Sequence, residues 1–114
     1  MNPGGGDFVK GDFRSLSDID RLIHEPARLM IVAILYAVES ADFLYLQRES
    51  ELTKGNLSSH LSKLENAGYV EIEKTYRGKL PLTICKLTDT GRCAFEDYRE
   101  QMKQMVDNTG ESLH

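Results

Sequence analysis

Residues 53–67 combine three regularly spaced leucines with a face of small polar and basic side chains. Leu57, Leu61 and Leu64 recur at i, i+4 and i+7, so a helix here would hold them within about 60° of one another, facing a core. The opposite side carries Gly55, Asn56, Ser59, Ser62, Lys63 and Asn66, with Thr53 and Lys54 at its leading end. Such a face suits the major groove of a nucleic acid duplex, where Asn bonds adenine, Ser bonds base edges or phosphates, and Lys bonds guanine or phosphate. It equally suits the water-exposed side of an ordinary amphipathic helix.

A turn with two cations follows this segment, with the sequence Arg77-Gly78-Lys79-Leu80-Pro81. It predicts a hairpin whose basic tip reaches phosphates or a minor groove beside the helix, although a turn that only adds solubility would look the same. The charge distribution favours the first interpretation. Residues 53–79 contain five cations and three anions, whereas the whole chain has 14 Lys and Arg against 18 Asp and Glu, a net charge of −4. The anionic excess therefore lies elsewhere, and non-specific binding to nucleic acid should be weak.

Groups that could support catalysis or metal binding are sparse. No Ser/His/Asp or Cys/His arrangement, glycine-rich phosphate loop or paired carboxylates at useful spacing stand out. His60 lies at the edge of the leucine stripe and is interpreted as a packing or hydrogen-bonding residue. Cys85 and Cys93 form no Cys-x-x-Cys pair and have no His at ligand spacing, so we expect small core residues in a reducing compartment. The sequence predicts no enzyme activity, no metal site and no cofactor.

Length and composition fit one compact domain, because the chain has 114 residues and 40% of them are hydrophobic. Residues 1–6 lack the apolar stretch of a secretory signal. The longest apolar run, residues 29–38, is much shorter than the roughly 20 residues that cross a bilayer. We therefore expect a cytoplasmic protein with no membrane partner.

The first and last predicted helices are more apolar than one small domain requires. Residues 26–39 form a helix that begins with Pro26 and is apolar on every side over residues 29–35, which predicts a central helix with a partner chain on its second face. The last helix follows Thr88 as its N-cap and runs to about residue 106. Its stripe consists of Ala94, Phe95, Tyr98, Met102, Met105 and Val106. Because little of the chain remains to cover this stripe, we expect it to form the contact of a homodimer.

Two more helices lie between these. Asp42-Phe43 is consistent with either a very short strand or a helix entry, after which a short helix runs to near Ser50. Thr53 is a good N-cap for the third helix, which reaches about residue 67. Gly68 then stands where a helix-ending C′ glycine belongs.

Hydrophobic alternation replaces the helical period after Gly68. Residues 70–73 and 82–87 predict two strands joined by the basic turn. The order helix, helix, helix, strand, strand, helix predicts an α+β winged helix-turn-helix fold with a three-helix core, a β-hairpin wing and a C-terminal dimerisation helix. Residues 1–15 are predicted to be a flexible arm, 16–106 the domain, and 107–114 a frayed tail.

From about Asp20 to Met105 the chain resembles the MarR/ArsR-like prokaryotic winged helix-turn-helix transcriptional regulators, in their short stand-alone DNA-binding branch. The run from Leu52 to Val70 is the most specific part of the resemblance. The other residues that carry it are Pro26-Ala27-Arg28-Leu29, Phe43 with Leu46, Gly78-Lys79-Leu80-Pro81 with Thr83, and Leu87-Thr88-Asp89-Thr90-Gly91-Arg92.

This resemblance implies a dimeric DNA-binding regulator without enzyme activity. Carried over by position, the DNA contacts are Lys54, Asn56, Ser58, Ser59, Ser62 and Lys63 on the third helix, with Arg77 and Lys79 on the wing. Ser50 and Glu51 depart from the pattern, because the family usually has an apolar residue and a glycine there. The departure predicts a looser turn and an unfavourable negative charge near DNA. The cysteine cluster of metal-sensing relatives is absent, so metal sensing through that site is not expected.

Taken together, the sequence predicts a sequence-specific regulator of transcription that binds double-stranded DNA as a homodimer. Its third helix would enter the major groove, and two such helices roughly 34 Å apart would read a pseudo-palindromic site. The acidic overall charge keeps open a second hypothesis, a winged helix that contacts only other proteins. A small-molecule effector between the first and last helices is compatible with the pattern, but the same residues would also build an ordinary core.

Overall fold

The computed structural model describes residues 19–112, so the predicted arm over residues 1–15 lies outside the described part of the chain. The elements in that part are α1 (Pro26–Val38), β1 (Ser40–Asp42), α2 (Phe43–Ser50), α3 (Lys54–Asn66), β2 (Val70–Arg77), β3 (Leu80–Leu87) and α4 (Asp89–Ser112). The predicted α+β winged helix-turn-helix fold is confirmed. None of the helices within residues 19–112 is long and apolar enough to cross a membrane.

Helix α1 lies at the centre of the core. It begins at Pro26 after Glu25, whose carboxylate accepts a hydrogen bond from the Arg28 backbone N–H at 2.8 Å. This bond lowers the pKa of Glu25, because it stabilises the ionised carboxylate. The buried side of α1 packs on the other helices and the sheet, and the core consists of Ile31, Val32, Leu35, Leu46, Leu57, Leu61, Leu64, Val70, Cys85, Leu87 and Phe95.

The sheet has three antiparallel strands in the order β1-β3-β2. β1 was predicted as either a short strand or a helix entry, and the structure contains both. Ala41 in β1 pairs with Cys85 in β3. Asp42 ends the strand and also caps α2, because its carboxylate accepts a hydrogen bond from the Tyr45 N–H at 2.8 Å. The hairpin of β2 and β3 is the wing.

Helix α4 is longer than predicted. Thr88 caps it as expected, with Oγ1 accepting a hydrogen bond from the Gly91 N–H at 3.0 Å. The sequence predicts that this helix ends near Val106 and that a frayed tail follows. That prediction is wrong for residues 107–112, because α4 continues to Ser112. The prediction ended the helix where its apolar stripe ends. A helix can extend beyond such a stripe, because its own backbone hydrogen bonds and local side-chain pairs hold it. Thr109 Oγ1 donates to the Met105 carbonyl at 2.8 Å, and Lys103 lies 3.9 Å from the Asp107 carboxylate.

The two cysteines differ in burial. Cys85 has no exposed surface, and burial raises the pKa of its thiol to about 11. Cys93, predicted as a core residue, is exposed, so that expectation is wrong. The error arises because Cys93 lies on the outward side of α4, next to the residues that form its apolar stripe.

This difference predicts the order of thiol labelling. At mildly alkaline pH a disulfide reagent should modify Cys93 rapidly in the native protein. Cys85 should react only when denaturant unfolds the chain, because it is both inaccessible and protonated. Mass spectrometry of the labelled protein measures both rates. Cys93→Ser should abolish native-state labelling, and rapid loss of both thiols from the native protein would contradict the burial of Cys85.

Candidate nucleic-acid interface

Helix α3 is held in the domain by its three leucines. Leu57 and Leu64 have no exposed surface and Leu61 has 2%. Thr53 is the N-cap as predicted, since its Oγ1 accepts a hydrogen bond from the Asn56 N–H at 3.2 Å. Gly68 follows the helix with φ of 82°, a left-handed conformation that suits glycine. The helix is therefore fixed at both ends with its polar side outward.

The turn between α2 and α3 is tight, so the expectation of a looser turn is wrong. Ser50 is buried at 5% exposure, and its Oγ accepts a hydrogen bond from the Leu52 N–H at 3.3 Å. Glu51 has φ of 60°, in the left-handed region where the family's glycine would be unstrained. The Ser50 hydroxyl thus supplies a local hydrogen bond in place of an apolar contact. Glu51 adopts the left-handed backbone conformation at a cost in steric strain.

A polar cluster joins α3 to α1 at the edge of the leucine stripe of α3. His60 Nδ1 lies 3.1 Å from Nη1 of Arg28 and 4.0 Å from Oε1 of Glu25. The Nε of Arg28 donates to the Leu22 carbonyl at 2.7 Å. The interpretation of His60 as a hydrogen-bonding residue is confirmed. The cluster thus links α3 to α1 and, through Arg28, to the Leu22 backbone.

All eight predicted contact residues are exposed, but they do not form one continuous surface. By helical spacing, Asn56, Ser59 and Lys63 share one flank of the exposed side of α3. The other flank faces the wing, and there Lys54, Ser58 and Ser62 line a groove of about 840 Å³. We call it the α3–wing groove. Its remaining lining residues are Asp42, Phe43, Leu44, Gln47, Leu61, Glu65, Ile72, Lys74, Pro81, Leu82 and Thr83.

Strand register decides which wing residues face this groove. In the β2–β3 ladder, Ile72 pairs with Cys85 and Lys74 pairs with Thr83. Directly paired side chains lie on the same side of a sheet, and the sides alternate along a strand. Lys74 therefore lies on the side of Ile72, toward α3, and lines the groove. Arg77 is on the opposite side and lines a separate pocket with Tyr45.

Lys74 is not among the eight contacts predicted from the sequence, yet it is the wing cation that lines the α3–wing groove. The sequence signal that could have identified Lys74 is its position in the alternation of β2. It is two residues beyond Ile72 and four beyond Val70, the apolar positions that set the core-facing side of β2. Lys79 lies in the turn itself, after Gly78, whose φ of 65° the tight hairpin requires.

A helix anchored by buried leucines, preceded by a short helix and a tight turn and followed by an antiparallel hairpin, defines a winged helix domain. The chain belongs to the family of winged helix DNA-binding domains, and the family model matches residues 27–106. The resemblance noted in the sequence is confirmed at this level.

Individual relatives agree with this assignment. The uncharacterized protein MJ0432 of Methanocaldococcus jannaschii is 39% identical over 88 residues, which are 77% of this chain and 96% of that protein. A solved transcriptional regulator homologue from Pyrococcus horikoshii is 30% identical with a TM-score of 0.79, covering 83% of this chain and 96% of that one. A MarR family transcriptional regulator from Silicibacter pomeroyi shares the fold at 19% identity and a TM-score of 0.57, over 89% of this chain and 68% of that one.

Proposed function

We propose that this protein is a sequence-specific transcriptional regulator that binds double-stranded DNA as a homodimer. The observation that carries the proposal is the exposed polar side of α3, which stays accessible while three buried leucines fix the helix in the domain. In this mode α3 enters the major groove, and the wing contacts the adjacent minor groove or the backbone.

Each contact residue has a chemical role in this mode. Asn56 and Ser59 offer hydrogen bonds to base edges, and Ser58 and Ser62 to phosphates or bases. Lys54, Lys63, Arg77 and Lys79 supply positive charge to the phosphates. Most acidic residues lie outside residues 53–79, but the exposed carboxylates of Glu51 and Glu65 lie beside or on α3 and would oppose these contacts.

The test is fluorescence anisotropy of a labelled duplex from the region upstream of the chain's own coding sequence, against a scrambled duplex, at low and moderate salt. Tighter binding to the upstream duplex that weakens with salt supports the proposal. Equal, salt-sensitive binding to both would support DNA binding alone, and the site would then be selected from random duplexes. No binding to either duplex at low salt would contradict it.

Two substitutions should separate base contacts from phosphate contacts. Asn56→Ala should weaken operator binding by roughly 1–3 kcal/mol and leave the scrambled duplex almost unaffected. Lys63→Ala should weaken binding to both duplexes. It should also reduce the slope of log K against log salt concentration by about one, as expected for the loss of one phosphate contact. Lys103→Ala on α4 is a matched control, because Lys103 is also exposed but lies on another helix. Equal losses for Lys63→Ala and Lys103→Ala would contradict the assigned role of α3.

The net charge of −4 supports a second candidate, a winged helix that binds only proteins. This second candidate function predicts that the protein has no measurable affinity for DNA at any salt concentration. Affinity purification of the full chain from its own cells would then recover a stoichiometric partner whose binding is lost when the exposed side of α3 is mutated.

A further inference from the structure

The α3–wing groove combines an apolar lining with two charged groups of each sign. The apolar residues come from α2, α3 and the wing. They are Phe43, Leu44, Leu61, Ile72, Pro81 and Leu82. The charged residues are Asp42, Lys54, Glu65 and Lys74. Because these four charges sum to zero, the groove favours neither a simple anion nor a simple cation. Its volume of about 840 Å³ lies in the range of small-ligand sites.

The two carboxylates lie toward the same end of the groove. Asp42 directly follows Ala41, which pairs with Cys85 in β3. Glu65 is on the last turn of α3. Both carboxylates raise the pKa of the Cys85 thiol, after the larger effect of burial, so both lie close to this one residue. Asp42 is also held in place, because its Oδ1 accepts a hydrogen bond from the Tyr45 N–H at 2.8 Å. The end of the groove near Cys85 is therefore acidic.

The two lysines lie farther from this acidic end. Lys54 is on the first turn of α3, about 16 Å from Glu65 along the helix at the usual rise per residue. Lys74 lies beyond Ile72 along β2, toward the tip of the wing. Both lysines are exposed, and within residues 19–112 neither forms an ion pair. The groove is therefore polarised, acidic near Cys85 and basic away from it.

We propose that the α3–wing groove binds a short linear peptide with free termini and apolar side chains. The ammonium group of the peptide lies at Asp42 and Glu65, its carboxylate at Lys54 and Lys74, and its side chains on the apolar lining between them. An extended backbone advances about 3.3 Å per residue, and the charged side chains reach inward from each end, so about three or four residues span the groove. A peptide of this kind matches the polarity of the site, whereas an ion of one sign would meet repulsion at one end.

A peptide in this groove would compete with DNA. It would cover Lys54, Ser58 and Ser62, three of the residues assigned to DNA contacts. The two ligands therefore exclude each other, and the peptide lowers the apparent affinity for DNA once its concentration exceeds its Kd. This competition rests on the proposed function, whereas peptide binding itself does not.

The first experiment titrates the full chain with trileucine and follows the backbone amide shifts by NMR. Saturable shifts should concentrate at the residues that line the α3–wing groove. Acetylated trileucine lacks the ammonium group, and trileucine amide lacks the carboxylate. Each should bind about two- to fivefold more weakly than trileucine, the range of an exposed ion pair. Equal affinity for all three peptides, or no saturable shifts at the groove, would overturn the proposal.

Variants assign each terminus of the peptide to one end of the groove. Glu65→Gln should weaken trileucine binding about two- to fivefold but leave the acetylated peptide unaffected, because that peptide has no ammonium group. Lys74→Ala should weaken trileucine similarly but leave the amide unaffected. Glu71→Gln and Lys86→Ala are matched controls, because these exposed cross-strand partners lie on the side of the wing that faces away from α3. Equal losses in the groove variants and the controls would contradict the proposal. All four side chains are exposed, so thermal unfolding should show little change in any variant.

A final measurement adds trileucine to the complex of the protein with the labelled upstream duplex. Trileucine should release the duplex at concentrations near its own Kd, and the two capped peptides should require more. If trileucine shifts the groove residues but leaves the duplex bound, the competition is contradicted and the proposed function stands. If the protein binds trileucine but neither the upstream nor the scrambled duplex at low salt, the proposed function fails and the peptide site stands.

Discussion

Replacing Gly91 with alanine is expected to lower the free energy of unfolding by about 3 kcal/mol, the upper end of the usual cost of overpacking. Gly91 lies in the first turn of α4, where an added Cβ would clash with the carbonyl oxygen of Tyr69 and approach Cδ1 of Leu87 to 2.9 Å. The carbonyl cannot move away easily, because it already accepts a hydrogen bond from the Thr88 N–H at 3.0 Å. The hydroxyl of Thr88 also donates to the Gly68 carbonyl at 2.6 Å.

Chemical denaturation of Gly91→Ala beside Gly55→Ala tests this expectation. A Cβ at Gly55 would meet nothing within 4 Å, and Gly55 is helical, so this control should leave stability unchanged or raise it by up to about 1 kcal/mol. A Gly91→Ala protein as stable as the Gly55→Ala protein would show that α4 does not pack closely on the backbone of Tyr69, just before β2.

Features that depend on local hydrogen bonds were predictable from the sequence. Thr53 and Thr88 cap their helices, and Gly68 ends α3, because each role requires only neighbouring backbone groups. The leucine spacing also predicted which side of α3 is buried, because the helical period places Leu57, Leu61 and Leu64 on one side. The turn at Ser50 and Glu51 was mispredicted, because a hydroxyl replaced the usual apolar contact and kept the turn tight.

The arrangement of the candidate site was only partly predictable. Exposure of the polar side of α3 followed from its period, but the wing cation nearest to it depends on strand register. The predicted turn of residues 77–81 drew attention to Arg77, whereas β2 continues through Arg77 and its alternation brings Lys74 to the groove. Whether α3 and the wing make the proposed contacts with DNA stays a prediction.

The proposed homodimer rests on apolar surface that one chain leaves uncovered. Along the stripe of α4, Phe95 and Tyr98 are 7% and 6% exposed, whereas Val106 is 59% exposed. Met30 on α1 is also 41% exposed. Toward its C-terminal end the stripe therefore changes from core packing to open surface, as expected where a second copy packs. Two copies joined there would bind two half-sites at once, and the second contact would become intramolecular.

Val106→Glu is therefore expected to convert the dimer to a monomer and to weaken binding to a two-half-site operator by about 100-fold or more, through loss of this avidity. Binding to a single half-site should not change, because Val106 lies on α4 and is exposed in the single chain. Gln104→Glu is the control, since it adds the same charge at an exposed polar position of α4 two residues away. Analytical ultracentrifugation measures the assembly, and anisotropy measures the two affinities. If Val106→Glu still sediments as a dimer, α4 is not the dimer contact; if it is monomeric with undiminished operator affinity, DNA binding does not require two copies.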